Sequence, residues 1–413
     1  MRKIPGGVTA AKGYRAACCA AGIKYKDRTD MAMVVSDVPC TDAGVFTSNK
    51  VKAAPVLWDR ELVQASSPAQ AVVVNAGIAN AATGKTGMDL CAATAEYAGQ
   101  ALGIPASSVL LGSTGVIGPN IPLDKITAGI AAMKDLLSDS EEAGTQASRA
   151  IMTTDTVNKE TAVSFELPGA DGAEPVTVTL GGMCKGSGMI HPNMCTMLAY
   201  LTTDCAIDPS MLQLALSSVV QDTFNMITVD GDTSTNDTLL VLANGLADNR
   251  VIDGPDESYE LFREALFTVC RELAVKMAAD GEGATHLIEA RVYHADTKEN
   301  AKLLARSVVG SSLVKAMIFG RDANCGRVLC ALGYAGPDFD PAVIEVYLHG
   351  KDDTLCFYRD GCVQAFDEEK AAAILAEKEV RISCDMKMGA AEATAWGCDL
   401  TYDYVKINGD YRT

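Results

Sequence analysis

Apolar residues alternate, or run in short blocks, over 31–38 (MAMVVSDV), 43–49 (AGVFTSN), 69–77 (AQAVVVNAG) and 108–113 (SVLLGS), and this predicts four strands. Apolar positions at helical spacing predict helices over 89–102, 123–137 and 140–152, the first with Asp89 in the N-cap position. The runs TAVSFEL and PVTVTL, separated by PGADGAE, read as a hairpin with a loose loop. The second half predicts a strand from Met197, helices near 208–221 and 257–279, and a strand near 285–294. Helices near 298–318 and 322–333 follow, then strands near 342–349, 354–358 and 379–386 around one helix at 368–377. Interleaving of this kind predicts an α/β fold, with sheet covered by helices. No internal repeat interrupts the series.

The 413 residues are 48% hydrophobic and 21% charged, the balance of a globular protein with a large core. A formal net charge of −18 repels phosphate backbones and anionic membranes, so neither nucleic acid nor membrane is expected as a partner. An anionic substrate would need a local cation set against that field. The fourteen cysteines form no C-x-x-C pair, and the four histidines, His191, His286, His294 and His349, stand far apart. No metal site is expected, and most cysteines read as small buried hydrophobes of a reducing compartment. The N-terminal apolar run is short and interrupted, a poor secretory signal, and no run of eighteen apolar residues occurs. The expectation is a cytoplasmic protein.

One stretch carries candidate chemistry. In KGSGMIHPNMCTMLAYLTTD (185–204) a Gly- and Pro-rich approach breaks into an apolar strand, with Thr196 at the junction. A β-branched residue there is held in few rotamers. Its hydroxyl is a weak nucleophile unless a base lies beside it, and one solution is a threonine whose own α-amino group takes the proton. An α-amine titrates at about 7.7–8.0, near working pH. The chain would have to be cut before Thr196 to create it. On these residues alone, a threonine opening a strand also follows from β-propensity.

KGSGMIHPNMCTML resembles the self-cleavage motif of the ornithine acetyltransferase family. Further blocks resemble the same family in the same order: AGVFTSNKVKAAPV (43–56), NAGIANAATGKTG (75–87), GSTGVIG (112–118), MTTDT (152–156), DGDTSTNDT (230–238), DGEGATHLIE (280–289), LVKAMIFGRDANCGRV (313–328) and CDLTYDYVKINGDYRT (398–413). The resemblance implies a layered α/β sandwich of the ornithine acetyltransferase and DmpA-like type, self-cleaved between Cys195 and Thr196. The products are an α chain, 1–195, and a β chain, 196–413, intertwined and assembled as two α and two β. It implies transfer of acetyl from N-acetylornithine to L-glutamate in arginine biosynthesis, by a ping-pong route through acetyl-Thr196. No cofactor is expected. Acetyl-CoA is a candidate co-substrate, since many members also take acetyl from it.

The resemblance assigns Thr196 as nucleophile, with Thr114 and Gly115 as the oxyanion hole. Thr153 or Thr154, Lys185, Thr196, Glu282, Asn408 and the terminal Thr413 are implied as substrate contacts. Lys185 would meet the α-carboxylate, and Glu282 suits the δ-ammonium of ornithine. Two residues depart from the family pattern. Cys195 stands where alanine is usual, and Cys325 where the family has tryptophan. Cys195 as nucleophile is disfavoured, because after cleavage it would be a carboxyl-terminal residue with no α-amine. His191 reads as a loop histidine rather than a general base. A threonine-nucleophile aminopeptidase or amidohydrolase of the same fold is the alternative activity, and a non-catalytic scaffold is the alternative outside enzymes. A phosphate-binding loop at GGMCKGSG is excluded by its spacing.

Overall fold

A computed structural model gives the fold and describes residues 1–191 and 197–410. Among the described residues, nine strands form a first sheet and seven a second. The first sheet runs Arg2–Ile4, Lys159–Leu167, Val176–Lys185, Leu198–Thr203, Thr238–Ala243, Met31–Phe46, Ala69–Ile78, Val109–Val116. Tyr14–Cys19 adds onto Met31–Phe46.

Met31–Phe46 explains the shape of this sheet. Its first residues pair with Tyr14–Cys19 and Ala69–Ile78, and its last six with Thr238–Ala243, while the register breaks between Val35 and Cys40. Such a break bends a strand and sharpens its twist. The sheet consequently folds over on itself. Val72, Val74 and Leu110 of one half pack against Leu198, Tyr200, Leu240 and Leu242 of the other. These are alternate residues, as the pleat requires. The intervening set, Ala199, Leu201, Leu239 and Val241, faces the opposite way, into a cluster with Leu216 and with Phe262, Leu273 and Met277 of the long helix Glu257–Ala279. On the far side of the other half, Ala71, Val73 and Leu111 meet Cys91, Ala95, Ile126 and Ile130 of helices Gly84–Leu102 and Leu123–Lys134. The result is a helix–sheet–sheet–helix sandwich.

The second sheet, ordered Cys362–Val363, Thr354–Arg359, Glu345–His349, Glu379–Asp385, Leu287–Ala295, Ala391–Cys398, Ile227–Thr228, shares the helix Glu257–Ala279 with the first through one continuous core. The expected layered α/β class is what the chain adopts.

Several local expectations need correcting. The strands expected at 31–38 and 43–49 are one strand of 16 residues. Asp89 caps nothing: its helix begins at Gly84, and Asp89 pairs with Lys85 one turn back, at 2.9 Å. The helix expected over 298–318 is two, Lys298–Gly310 and Ser312–Gly320, bent by 51° where the Ser311 hydroxyl accepts from Val314 N and starts the second. Helix Ala54–Gln64 and strand Ala391–Cys398 carry no earlier expectation. No single helix among the described residues is long and apolar enough to cross a membrane. The cysteines described are all free thiols, most of them buried, and Cys325 sits in the core.

Candidate active site

Strand register brings the site together. Lys185 pairs with Leu198, Leu198 with Thr238, and Thr238 with Phe46. The residues just beyond these pairs, Gly186, Met197 and Asp237, therefore leave the sheet at one edge. In the other half of the sandwich, Thr114 and Gly115 end Val109–Val116 opposite Ala76 and Gly77. Asn236 ties the halves there, with Nδ2 donating to Ala79 O at 2.6 Å and Ser113 O at 2.7 Å. Between them opens a cleft of about 160 Å³, lined by Thr114, Gly115, Thr153, Thr154, Lys185, Met197, Asp237, Glu282 and Asn408.

Gly115 is required by geometry. Its φ is +129°, and a Cβ would lie 2.2 Å from the carbonyl carbon of Gly77. Only glycine fits so close an approach in that conformation. Thr114 beside it has its hydroxyl oxygen 3.4 Å from Lys185 Nζ. An ammonium can only donate, so this contact leaves the Thr114 hydrogen to point elsewhere.

Lys185 also donates to Thr153 Oγ1 at 2.8 Å and lies 3.8 Å from Asp155 Oδ2. Burial pulls its ammonium below the usual lysine range, against the pull of Asp155. Asp155 in turn accepts from Gly186 N at 2.6 Å and from Lys159 at 2.7 Å. Burial pushes that carboxyl up, but Lys185 and Lys159 outweigh it and hold Asp155 well below the ordinary carboxylate range. Lys159 is fully buried and bridges Asp155 to Asp280 at 2.6 Å. Removing one member of such a group strands the remaining charges in a dry interior. Lys159→Met should cost about 3–5 kcal/mol in chemical denaturation. Lys85→Ala, which breaks an exposed pair, should cost under about 1 kcal/mol.

The opposite wall comes from the loop 280–284 and the terminal helix Tyr402–Asp410. Glu282 is anchored by its backbone, N donating to Ser187 O at 2.8 Å, and its Oε2 accepts from Asn408 Nδ2 at 2.8 Å. Gly188 permits this position, since a Cβ there would lie 2.3 Å from Glu282 Oε2. Thr154 shares a 2.8 Å hydrogen bond with Ser187, so both threonines of MTTDT line the cleft, and Thr153 is the one bonded to Lys185.

Thr114, Gly115, Thr153, Thr154, Lys185, Glu282 and Asn408 are thus brought to one cleft. Cys195, Thr196 and Thr413 lie outside the described residues. Met197, which follows Thr196, lines the cleft and its O accepts from Thr238 N at 2.8 Å. His191 is not among the cleft residues. Its Nδ1 is 3.0 Å from Thr228 Oγ1 and its Nε2 3.0 Å from Arg306, and burial with that guanidinium lowers its pKa. Residues the sequence did not single out are Asp155, Asn236 and Asp237. Asp237 is buried, has no hydrogen-bond partner for Oδ2 among the described residues, and is pushed well above the carboxylate range by burial. Its signal was the block DGDTSTNDT, which named no role for it.

Hydroxyls, a closely packed glycine, a buried ammonium and a carboxylate–amide pair gather at one edge of a layered α/β sandwich, an arrangement suited to a small polar molecule. The chain belongs to the ArgJ family, whose profile matches residues 15–413. It is 52% identical over 415 residues to the arginine biosynthesis bifunctional protein ArgJ of Symbiobacterium thermophilum, covering all of both chains. It is 46% identical over 413 residues to the protein of the same name from Caldanaerobacter subterraneus subsp. tengcongensis, again covering both fully. A crystal structure of the arginine biosynthesis bifunctional protein ArgJ from Bacillus halodurans matches 51% of this chain and 98% of that one, with 44% identity and a TM-score of 0.49.

Proposed function

We propose that this acetyltransferase of arginine biosynthesis moves acetyl from N-acetylornithine to L-glutamate through an ester on Thr196, after cutting itself between Cys195 and Thr196. The observation that carries the reading is the convergence of Thr114, Gly115, Lys185, Glu282 and Asn408 on the cleft that Met197 enters.

The cut follows from the same chemistry as transfer. Thr196 Oγ adds to the Cys195 carbonyl, the C–N bond breaks, and the nitrogen takes a proton to become the α-amine of Thr196. Water then hydrolyses the ester, leaving Cys195 as a carboxylate. In transfer, Thr196 Oγ adds to the acetamide carbonyl of N-acetylornithine while the α-amine accepts its proton. The proton passes to the departing nitrogen as the C–N bond breaks, and ornithine leaves. The amine of glutamate attacks the ester, and Thr196 recovers its hydrogen as N-acetylglutamate forms. Each addition puts negative charge on oxygen, which the Thr114 hydroxyl and Gly115 N–H would receive.

Lys185 supplies the cation that an α-carboxylate needs in a chain of charge −18. Glu282 suits the ornithine δ-ammonium, and the Asn408 amide that donates to it holds that carboxylate in place. The terminal Thr413 completes the contact set in this reading. Products 1–195 and 196–413 would stay intertwined, because Leu198–Thr203 lies between Val176–Lys185 and Thr238–Ala243, which itself pairs with Met31–Phe46. An assembly of two α and two β chains belongs to the same reading, as does a cytoplasmic setting, which suits so many free thiols.

Double-reciprocal plots with N-acetylornithine and glutamate varied together should be parallel, with acetyl isolated on the β chain. Intersecting lines and no labelled protein would contradict the covalent route. With acetyl-CoA as the only donor, N-acetylglutamate should also form, which is the expectation for a chain whose relatives are called bifunctional. Family membership argues against the aminopeptidase reading, and no feature of the cleft among the described residues favours it.

A further inference from the structure

The two residues that meet across the cleft wall, Glu282 and Asn408, lie far apart in the chain, and one buried carboxylate joins their supports. Asp399 Oδ1 accepts from Thr285 N at 2.8 Å and His286 N at 2.9 Å. Its Oδ2 accepts from Thr285 Oγ1 at 2.5 Å and lies 2.9 Å from His286 Nδ1. Asp399 N returns a bond to His286 O at 3.2 Å. The carboxylate thus holds the chain three residues beyond Glu282. Two residues further on, Thr401 Oγ1 donates to Gly283 O at 2.7 Å and accepts from Tyr404 N at 3.4 Å, where the helix carrying Asn408 begins. On its other side the same loop is fixed by Asp280, which accepts from Lys159 and from Thr156. Glu282 is held between a buried cation and a buried anion, with its side chain left to face Asn408.

We propose that Asp399 is a positioning residue for substrate selection: it sets the spacing between Glu282 and Asn408, and so the recognition of a side-chain ammonium four bonds from the α-carbon. The inference rests on the reading of Glu282 given above. Burial pushes the Asp399 carboxyl up, but the bonds from Thr285 and His286 outweigh it and keep it below the ordinary carboxylate range. It therefore stays an acceptor, with all four bonds in place. Lys315, buried and bonded to Cys398 O, adds a nearby positive charge.

The test compares N-acetylornithine with N-acetylnorvaline, which has the same carbon chain and no side-chain amine. The full-length enzyme carrying Asp399→Asn should lose about ten- to a hundredfold in kcat/KM for N-acetylornithine, mainly through KM. Its kcat/KM for N-acetylnorvaline should stay within about twofold of wild type, on the same expectation that only the amine end is misplaced. Glu282→Gln should show the same selective loss, and the double variant should lose little more than either alone. Equal losses on both substrates, or a preserved preference, would overturn the inference and leave Asp399 a purely structural group. A preserved preference in Glu282→Gln would instead overturn the reading of Glu282, and the inference with it. Should Asp399→Asn fail to fold, Thr285→Val removes one of the four bonds. It should reduce the preference in the same direction, and an unchanged preference in that variant counts against the inference equally.

Discussion

Thr196→Ala is expected to leave a single uncut chain and no measurable acetyl transfer. In the proposed route both events use the same hydroxyl, so one substitution removes both. Loss of a nucleophile from a unit that works together costs on the order of a million-fold in turnover. A denaturing gel reads the cut and glutamate acetylation reads the transfer. The neighbouring change discriminates between nucleophiles: Cys195→Ala restores the residue usual in the family and should cut and transfer normally. A Cys195→Ala protein that cuts but cannot transfer would return the thiol to consideration.

The second large effect is expected at Thr114. Thr114→Val keeps the shape of the side chain at the end of its strand and removes the hydroxyl. The buried Lys185 ammonium loses its 3.4 Å contact there but keeps Thr153 and Asp155. The fold should hold, while kcat falls about 100- to 1000-fold, the usual consequence of losing one oxyanion donor. KM for N-acetylornithine should change little, because the donor acts on charge that develops only at the transition state. The cut should slow as well, since it passes through an oxyanion too. Rates are therefore to be normalised to the cut fraction. A variant with wild-type kcat would remove Thr114 from the oxyanion hole.

The legible parts of this chain are those carried by short contiguous blocks. Thr114–Gly115, Lys185 and Glu282 sit in short glycine-containing segments at the ends of strands and helices, and only the family resemblance of those segments singled them out. The misreadings are also physical. Asp89 precedes an apolar helical pattern and looks like a cap, yet the helix starts at Gly84, ahead of it. Gly87, normally a helix weakener, is needed inside this helix, because a Cβ there would fall 2.0 Å from Thr83 Oγ1. The terminal segment gave no element in the sequence; Tyr402–Asp410 forms a helix, in which Asn408 Nδ2 reaches back to Tyr404 O at 3.0 Å. Asn236 and Asp399 also lay inside resembling blocks, but nothing local gave them a role. Their partners, Ser113 and Thr285, lie 123 and 114 positions away, and no local pattern encodes that distance. Asp155 was inside a recognised block, but its role exists only with Lys159, Lys185 and Gly186 folded around it.

The proposed transfer requires Thr196 to become the first residue of a new polypeptide. Amino-terminal sequencing of the purified, active protein tests this directly. Two sequences are predicted, one from the original N-terminus and one reading Thr-Met-Leu-Ala-Tyr from Thr196. An active preparation that yields only the original N-terminus would contradict it.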